Sequence, residues 1–215
     1  KQFKNGMMGT GVLGFDEINM SQSIKVHTTG SRAGTILVNG AVSTQGQSTI
    51  SIDGLTGATD TVTVGDVFTI ANVFAVNPQT RESTGSLQQF VVTAAQTGVS
   101  NALANMAISP PIYTSTSALA TVDSFPADNA AVTFVGTAST AYPQNMIYHK
   151  DAITFATADL VLPTGVDMAA RAVHNGISLR IIRDYDINND RMPCRIDVLY
   201  GFSTIRPQMA CRLWG

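Results

Sequence analysis

Between residues 34 and 140 this chain holds one basic side chain, Arg81, and six acidic ones: Asp53, Asp60, Asp66, Glu82, Asp123 and Asp128. The rest is dominated by Thr, Ser, Ala, Gly and Val. Disordered chains are charge-rich and poor in apolar residues, so a stretch of this kind folds. Its flanks differ. Residues 1–33 hold four basic and two acidic groups, and residues 141–215 hold eight and seven. A nearly uncharged block between two charged segments suggests a domain inserted into another.

The uncharged block reads as β. Ile36 to Val38, then Asn39-Gly40, then Ala41-Val42 carries a short hairpin signal, because Asn-Gly fits a type I′ turn. Thr49 to Asp53 alternates, with Ile50 and Ile52 on one face. Thr61 to Val64 alternates again. Gly65-Asp66 turns into the strongest strand, Val67 to Val76, which stops at Asn77-Pro78. Leu87 to Thr93 and Val132 to Val135 are further strands. Pro110-Pro111 breaks the chain, and Ile112 to Thr116 is at most a short extended piece. Gly98 to Ala107 offers one or two helical turns at best. Short strands with regular turns predict a small antiparallel barrel or sandwich. In the last third, Ile177 to Tyr185, Arg195 to Tyr200 and Ala210 to Trp214 read as strands, with Asp186 to Asp190 as a polar turn. Tyr148 to Ala158 fits helix or strand.

Composition excludes several functions. Thirteen Lys and Arg against fifteen Asp and Glu leave no cationic excess to displace phosphate counterions, so no specific nucleic-acid binding is expected. No apolar run reaches the roughly 18 residues of a membrane span. No apolar stretch near residue 1 has the form of a signal peptide, and Asn19-Met-Ser21 is a formal glycosylation sequon only. Cys194 and Cys211 form no CxxC and, with three histidines, no zinc spacing; two free thiols are expected.

Motifs that imitate chemistry lack its context. Gly9-Thr-Gly11-Val-Leu-Gly14 matches G-x-G-x-x-G, but Lys1 to Met8 is too short and polar for the buried strand that must precede a dinucleotide site. It reads as a flexible glycine-rich loop. Asp186-Ile-Asn188-Asn-Asp190 resembles the start of a calcium loop, yet Arg191 stands where that loop needs glycine. It reads as a hairpin turn. His27, His149 and His174 are far apart, and no G-x-S-x-G elbow is present. No enzyme activity, cofactor or metal is expected. A glycan-binding or adhesin module of a tail fibre or cell surface would suit the Ser/Thr/Gly bias. It would need a cluster of exposed Trp or Tyr, and the middle block has no Trp and only Tyr113, while the Arg-rich last third stays unexplained.

Several stretches, in this order, resemble a known family. They include Gly14-Phe-Asp-Glu-Ile-Asn, Gly65-Asp-Val-Phe-Thr-Ile-Ala71, Val73-Phe-Ala-Val-Asn-Pro78 and Gly85-Ser-Leu-Gln-Gln-Phe-Val-Val-Thr93. Tyr148-His-Lys-Asp-Ala152, Asp159-Leu-Val-Leu-Pro163 and Cys194-Arg-Ile-Asp-Val-Leu-Tyr-Gly201 follow, and Ala210-Cys-Arg-Leu-Trp214 closes the series. Together they cover nearly the whole chain and resemble P22-like major capsid (coat) proteins of tailed phages.

The resemblance implies a mainly β, α+β chain: an inserted antiparallel β-barrel flanked by segments of an HK97-type capsid subunit. Residues 1–30 would lead from the axial domain into the insertion. Residues 31–140 would be the barrel, and 141–215 the axial and peripheral segment. The chain would be the C-terminal half of a longer subunit, itself a monomer or weak oligomer. The full subunit would build a homo-oligomeric capsid lattice in the virion, assembled in the bacterial cytoplasm with scaffolding and portal proteins. The candidate contacts between subunits are the alternating charges Arg171, Arg180, Arg183, Asp184, Asp186, Asp190, Arg191 and Asp197. Single exposed pairs of this kind contribute only about 0–1 kcal/mol each.

Overall fold

The computed structural model describes residues 7–12, 14–57 and 59–214. Strand supplies almost all regular structure among them; the exception is one 3-10 turn, Pro207–Met209. The expected α component is therefore not seen among the described residues; Gly98–Ala107 and Tyr148–Ala158 form strand and turn. Contacts divide these residues into two compact units. One runs to Gln144 and includes Trp214; the other is Asn145–Leu213.

In the first unit, β1 (Met7–Val12) and β2 (Phe15–Asn19) form an antiparallel hairpin, with Val12 opposite Phe15. The glycine-rich stretch is thus a paired strand and not a flexible loop. Gly14, at φ 82°, sits in the turn, where a side chain would be strained. β3 (Val26–Thr28) follows, then β4 (Gly34–Val38), β5 (Gln47–Leu55) and the short β6 (Thr61–Val62). β7 (Val67–Val76) and β8 (Ser83–Val92) form a long hairpin, and β9 (Gln96–Thr97) pairs with β6. β10 (Leu103–Ile112) and β11 (Val132–Phe134) complete the six-stranded sheet β11-β7-β8-β10-β5-β4.

The two ends of that sheet meet through a Leu37–Ala131 bridge and the bond from Val38 N–H to Ala130 O, so the sheet nearly closes into a barrel. Period-2 alternation sends Ile50, Ile52, Phe68, Ile70, Phe90, Val92, Met106 and Ile108 to one interior. At its centre Phe68 stacks on Phe90 at 5.6 Å and meets Phe134 at 5.2 Å, spacings at which aromatic pairs attract.

Three local expectations change. β10 runs through Pro110-Pro111, with Ile112 opposite Gln47. Proline is tolerated because β10 pairs with β8 only at Ile108 and Ser109 and leaves the prolines outside that ladder. Gly98–Ala107 is not helical; Leu103 and Met106 belong to β10 and point into the core. Asn39-Gly40 does not make a two-residue turn. The chain leaves β4, Val42 N–H donates to Pro126 O, and β5 begins only at Gln47.

β12 (Ala141–Tyr148) pairs with β3, Tyr142 lying opposite His27. The second unit contains β13 (Ile153–Ala158), β14 (Met168–His174), β15 (Ile177–Arg183), β16 (Cys194–Asp197) and β17 (Leu199–Thr204). β18 (Ala210–Trp214) takes its place in the sheet β18-β12-β3. Tyr148 to Ala158 resolves into the end of β12, a turn in which Ala152 N–H donates to His149 O, and β13. β13 pairs with β17, and β14-β15-β16 form a second sheet. Only Ala152 and Ser178 of this unit are buried.

Candidate functional site

Gly65-Asp66 forms the turn before β7, and Asp66 is wholly buried there. Its carboxylate gathers four donors. His27 Nε2 lies 3.0 Å from Oδ1. Arg32 Nη1 donates to Oδ2 at 3.0 Å, Thr63 N–H at 2.9 Å and Gly30 N–H at 3.2 Å. A buried carboxylate needs such a set, since an uncompensated buried charge costs several kcal/mol. Arg32 is buried as well, with its Cζ 4.2 Å from the centroid of the Phe134 ring. Burial lowers the Arg32 pKa, and the Asp66 charge opposes that shift. The ring face supplies a second favourable contact for the cation.

Around this core, Trp214 stacks on Tyr142 at 5.1 Å and meets His27 at 5.7 Å. Thr137 N–H donates to Tyr142 Oη at 2.9 Å, and hydrogen bonding from Thr137 holds the phenol below its ordinary pKa. Asp66 therefore ties together β3, the chain leading into β4 and the turn before β7. Its acceptor atoms are all occupied by the chain itself. It is an anchor. Sequence reasoning registered Gly65-Asp66 only as turn chemistry. The available signal was a carboxylate in a segment otherwise almost free of charge.

The candidate charges of the second unit lie on or beside β14, β15 and β16, and most are paired within the chain. Arg171 faces Arg180 across the β14–β15 ladder, and Arg180 faces Asp197 on β16. Arg180 donates to Asp197 through Nη2 at 2.6 Å and Nε at 3.2 Å, and Arg195 adds a contact at 2.8 Å. These bonds, Arg180's first, hold the Asp197 carboxyl below its ordinary pKa. Arg183 pairs with Asp167 at 2.9 Å and Arg171 with Asp159 at 3.4 Å.

Asp186 Oδ2 accepts from Asn189 Nδ2 at 2.7 Å, which lowers its pKa, and Arg191 lies 3.9 Å away. Asp190 accepts from Tyr185 Oη at 2.8 Å, and this bond raises the Tyr185 pKa. Asp184 accepts from Tyr185 N–H. The Asp186–Arg191 bridge makes this segment a hairpin turn, as its residues predict. Cys194 and Cys211 are free and exposed, and Tyr113 is half-buried beside Gly46.

Large apolar side chains also stand exposed in this unit: Ile196 on β16, Phe155 on β13, and Tyr200 and Phe202 on β17, Phe202 at 76%. An anchored barrel, together with strand faces carrying apolar and charged groups to the surface, is the equipment of a structural subunit.

The family model described as P22 coat protein, gene protein 5, matches residues 1–215, and the chain belongs to that family of phage coat proteins. A solved structure titled CUS-3 coat protein I-domain is 26% identical over 49% of this chain and 98% of that one, with a TM-score of 0.35. No curated protein matches. The family is structural and not enzymatic, and its place is the capsid of the virion, which is built from many subunits.

Proposed function

We propose that this chain is the C-terminal part of a major capsid subunit that self-assembles into the icosahedral head of a tailed double-stranded DNA phage or prophage. Residues 31–140 form the inserted barrel. Residues 1–30 and 141–215 belong to HK97-type axial and peripheral segments. The observation that carries the reading is the second unit, whose strands expose Phe155, Tyr200 and Phe202 and bury almost nothing. Faces of that kind gain stability when covered, at roughly 25 cal/mol per Å² of apolar surface removed from water. In an assembled shell they meet the rest of the subunit and its neighbours. Arg171, Arg180 and Arg183, with Asp184, Asp186, Asp190, Arg191 and Asp197, then set register at the rims of those contacts. Further copies of the subunit are the principal partner, with scaffolding and portal proteins acting during assembly in the host cytoplasm.

The test is expression of the coat gene with its neighbouring head genes, followed by negative-stain electron microscopy. Closed shells or capsomer rings are expected. Monomers only, with every head gene present, would overturn the proposal.

A further inference from the structure

Six carboxylates and one guanidinium are the charged groups of residues 34–140, and four of the carboxylates hold backbone. Asp66 anchors as described. Asp60 accepts from Ala33 N–H and Gly57 N–H, Asp123 from Phe74 N–H, and Asp128 from Gly40 N–H. Asp53 is half-buried on β5. Two charges are left, Arg81 and Glu82. They are adjacent, both exposed, and placed at the tip of the β7–β8 hairpin. Among the described residues neither side chain has an ion-pair or hydrogen-bond partner; the tip is held by its main chain and by two short side chains, Gln79 N–H donating to Asn77 Oδ1 at 2.9 Å and Glu82 N–H to Thr80 Oγ1 at 3.4 Å. Arg81 N–H donates to Asn77 O at 2.7 Å and Asn77 N–H to Glu82 O at 3.0 Å.

The backbone at the tip adds an independent observation. Arg81 has φ 60°. The other described non-glycine residues with positive φ are Asn, Ser or Asp, short polar types, most of which tolerate that region. A long cationic side chain there is unfavourable for the hairpin itself, where Gly or Asn would fit with less strain. The next five residues, Ser83 to Leu87, are all exposed, so the tip stands on a stretch of strand open to solvent.

A cation and an anion side by side are self-complementary under a two-fold axis. Arg81 of one copy meets Glu82 of the second, and Glu82 of the first meets Arg81 of the second. We propose that the β7–β8 tip is an isologous contact between two copies of this chain, held by reciprocal Arg81–Glu82 pairs. The inference rests on the coat-subunit reading and names one contact within it.

Charge reversal in the assembling coat subunit tests it, with particles scored by sedimentation of lysates. R81E puts two anions at each tip and E82R two cations, so like charges oppose across the axis. Each single variant is expected to lower particle yield at least tenfold while leaving the thermal melting of the subunit unchanged. The double variant R81E/E82R rebuilds the reciprocal pairs and is expected to restore yield. Co-expression of the two single variants is expected to restore it too, in particles containing both chains. Raised salt is expected to relieve the single-variant defects, because exposed charges are screened. Normal yield for both single variants would overturn the contact and leave the coat reading standing. So would a double variant as defective as the singles. Absence of particles from the unaltered subunit would overturn both.

Discussion

Asp66 holds four groups from three separate stretches of the first unit. Two cationic or polar side chains and two backbone amides share its carboxylate, and none of them reaches solvent freely. Asp66→Asn keeps the shape and removes the charge opposite buried Arg32. Leaving one partner of a buried pair behind is expected to destabilise by about 3–5 kcal/mol, measured by urea denaturation. Asp197 is the second such residue, at the surface of the other unit. Its pKa lies below the ordinary value because Arg180 and Arg195 bond the ionised form. The stability it contributes is complete above the ordinary carboxylate range and is lost as pH falls through the depressed value. Arg180→Ala is expected to raise the Asp197 pKa and to move the acid-unfolding midpoint to higher pH; carboxyl chemical shifts followed by NMR check both. Unchanged Asp197 titration in that variant would contradict the pairing.

At the scale of elements, the irregular positions constrain the chain more tightly than the regular strands, and one of them lies within β5. Gly54 adopts φ 77°, and a Cβ there would lie 2.0 Å from Thr35 O across the β4–β5 ladder. Gly54→Ala combines strain with a backbone clash. It is expected to cost more than about 1 kcal/mol and to speed amide exchange at Leu55. The barrel strands were legible because alternation shows in residue type: Ile50 and Ile52, Phe68 and Ile70, and Phe90 and Val92 all point where their pattern predicts. The turns were not. Asn39-Gly40 has the hairpin signal and makes none, since Val42 is drawn to Pro126 and buried. Asn175-Gly176 makes the two-residue hairpin, with φ 49° and 78° and His174 opposite Ile177, but its first strand, rich in alanine, carries too little alternation to announce itself. β10 was hidden for a related reason. Its two prolines read as a break, and only its limited pairing with β8 makes them harmless. The Asp66 anchor was not legible either, because its members are far apart in sequence: His27 and Trp214 come from the sheet β18-β12-β3, and Arg32 and Asp66 from the stretches leading into β4 and β7.

For the whole molecule, a well-filled barrel coexists with a unit that has almost no interior of its own. Phe68→Ala strikes the barrel at its centre and is expected to cost about 3–5 kcal/mol, by chemical denaturation. Phe202→Ser strikes the other unit, where the side chain is 76% exposed. It is expected to leave the denaturation midpoint of the isolated chain within experimental error, while lowering its self-association in sedimentation velocity and blocking shell formation by the subunit. A strong loss of stability from Phe202→Ser would show that its ring already packs within the chain.

The Trp214 stack sets an order of events during synthesis. Every strand of the barrel lies between Gly34 and Phe134, so the sheet can close while the ribosome is still adding the second unit. Tyr142 and His27 must wait for Trp214. A nascent chain therefore passes through a stage with its barrel formed and its aromatic clasp open. Protection of β3 and β12 should appear late, once Trp214 has left the ribosome, and not progressively as the barrel strands are added.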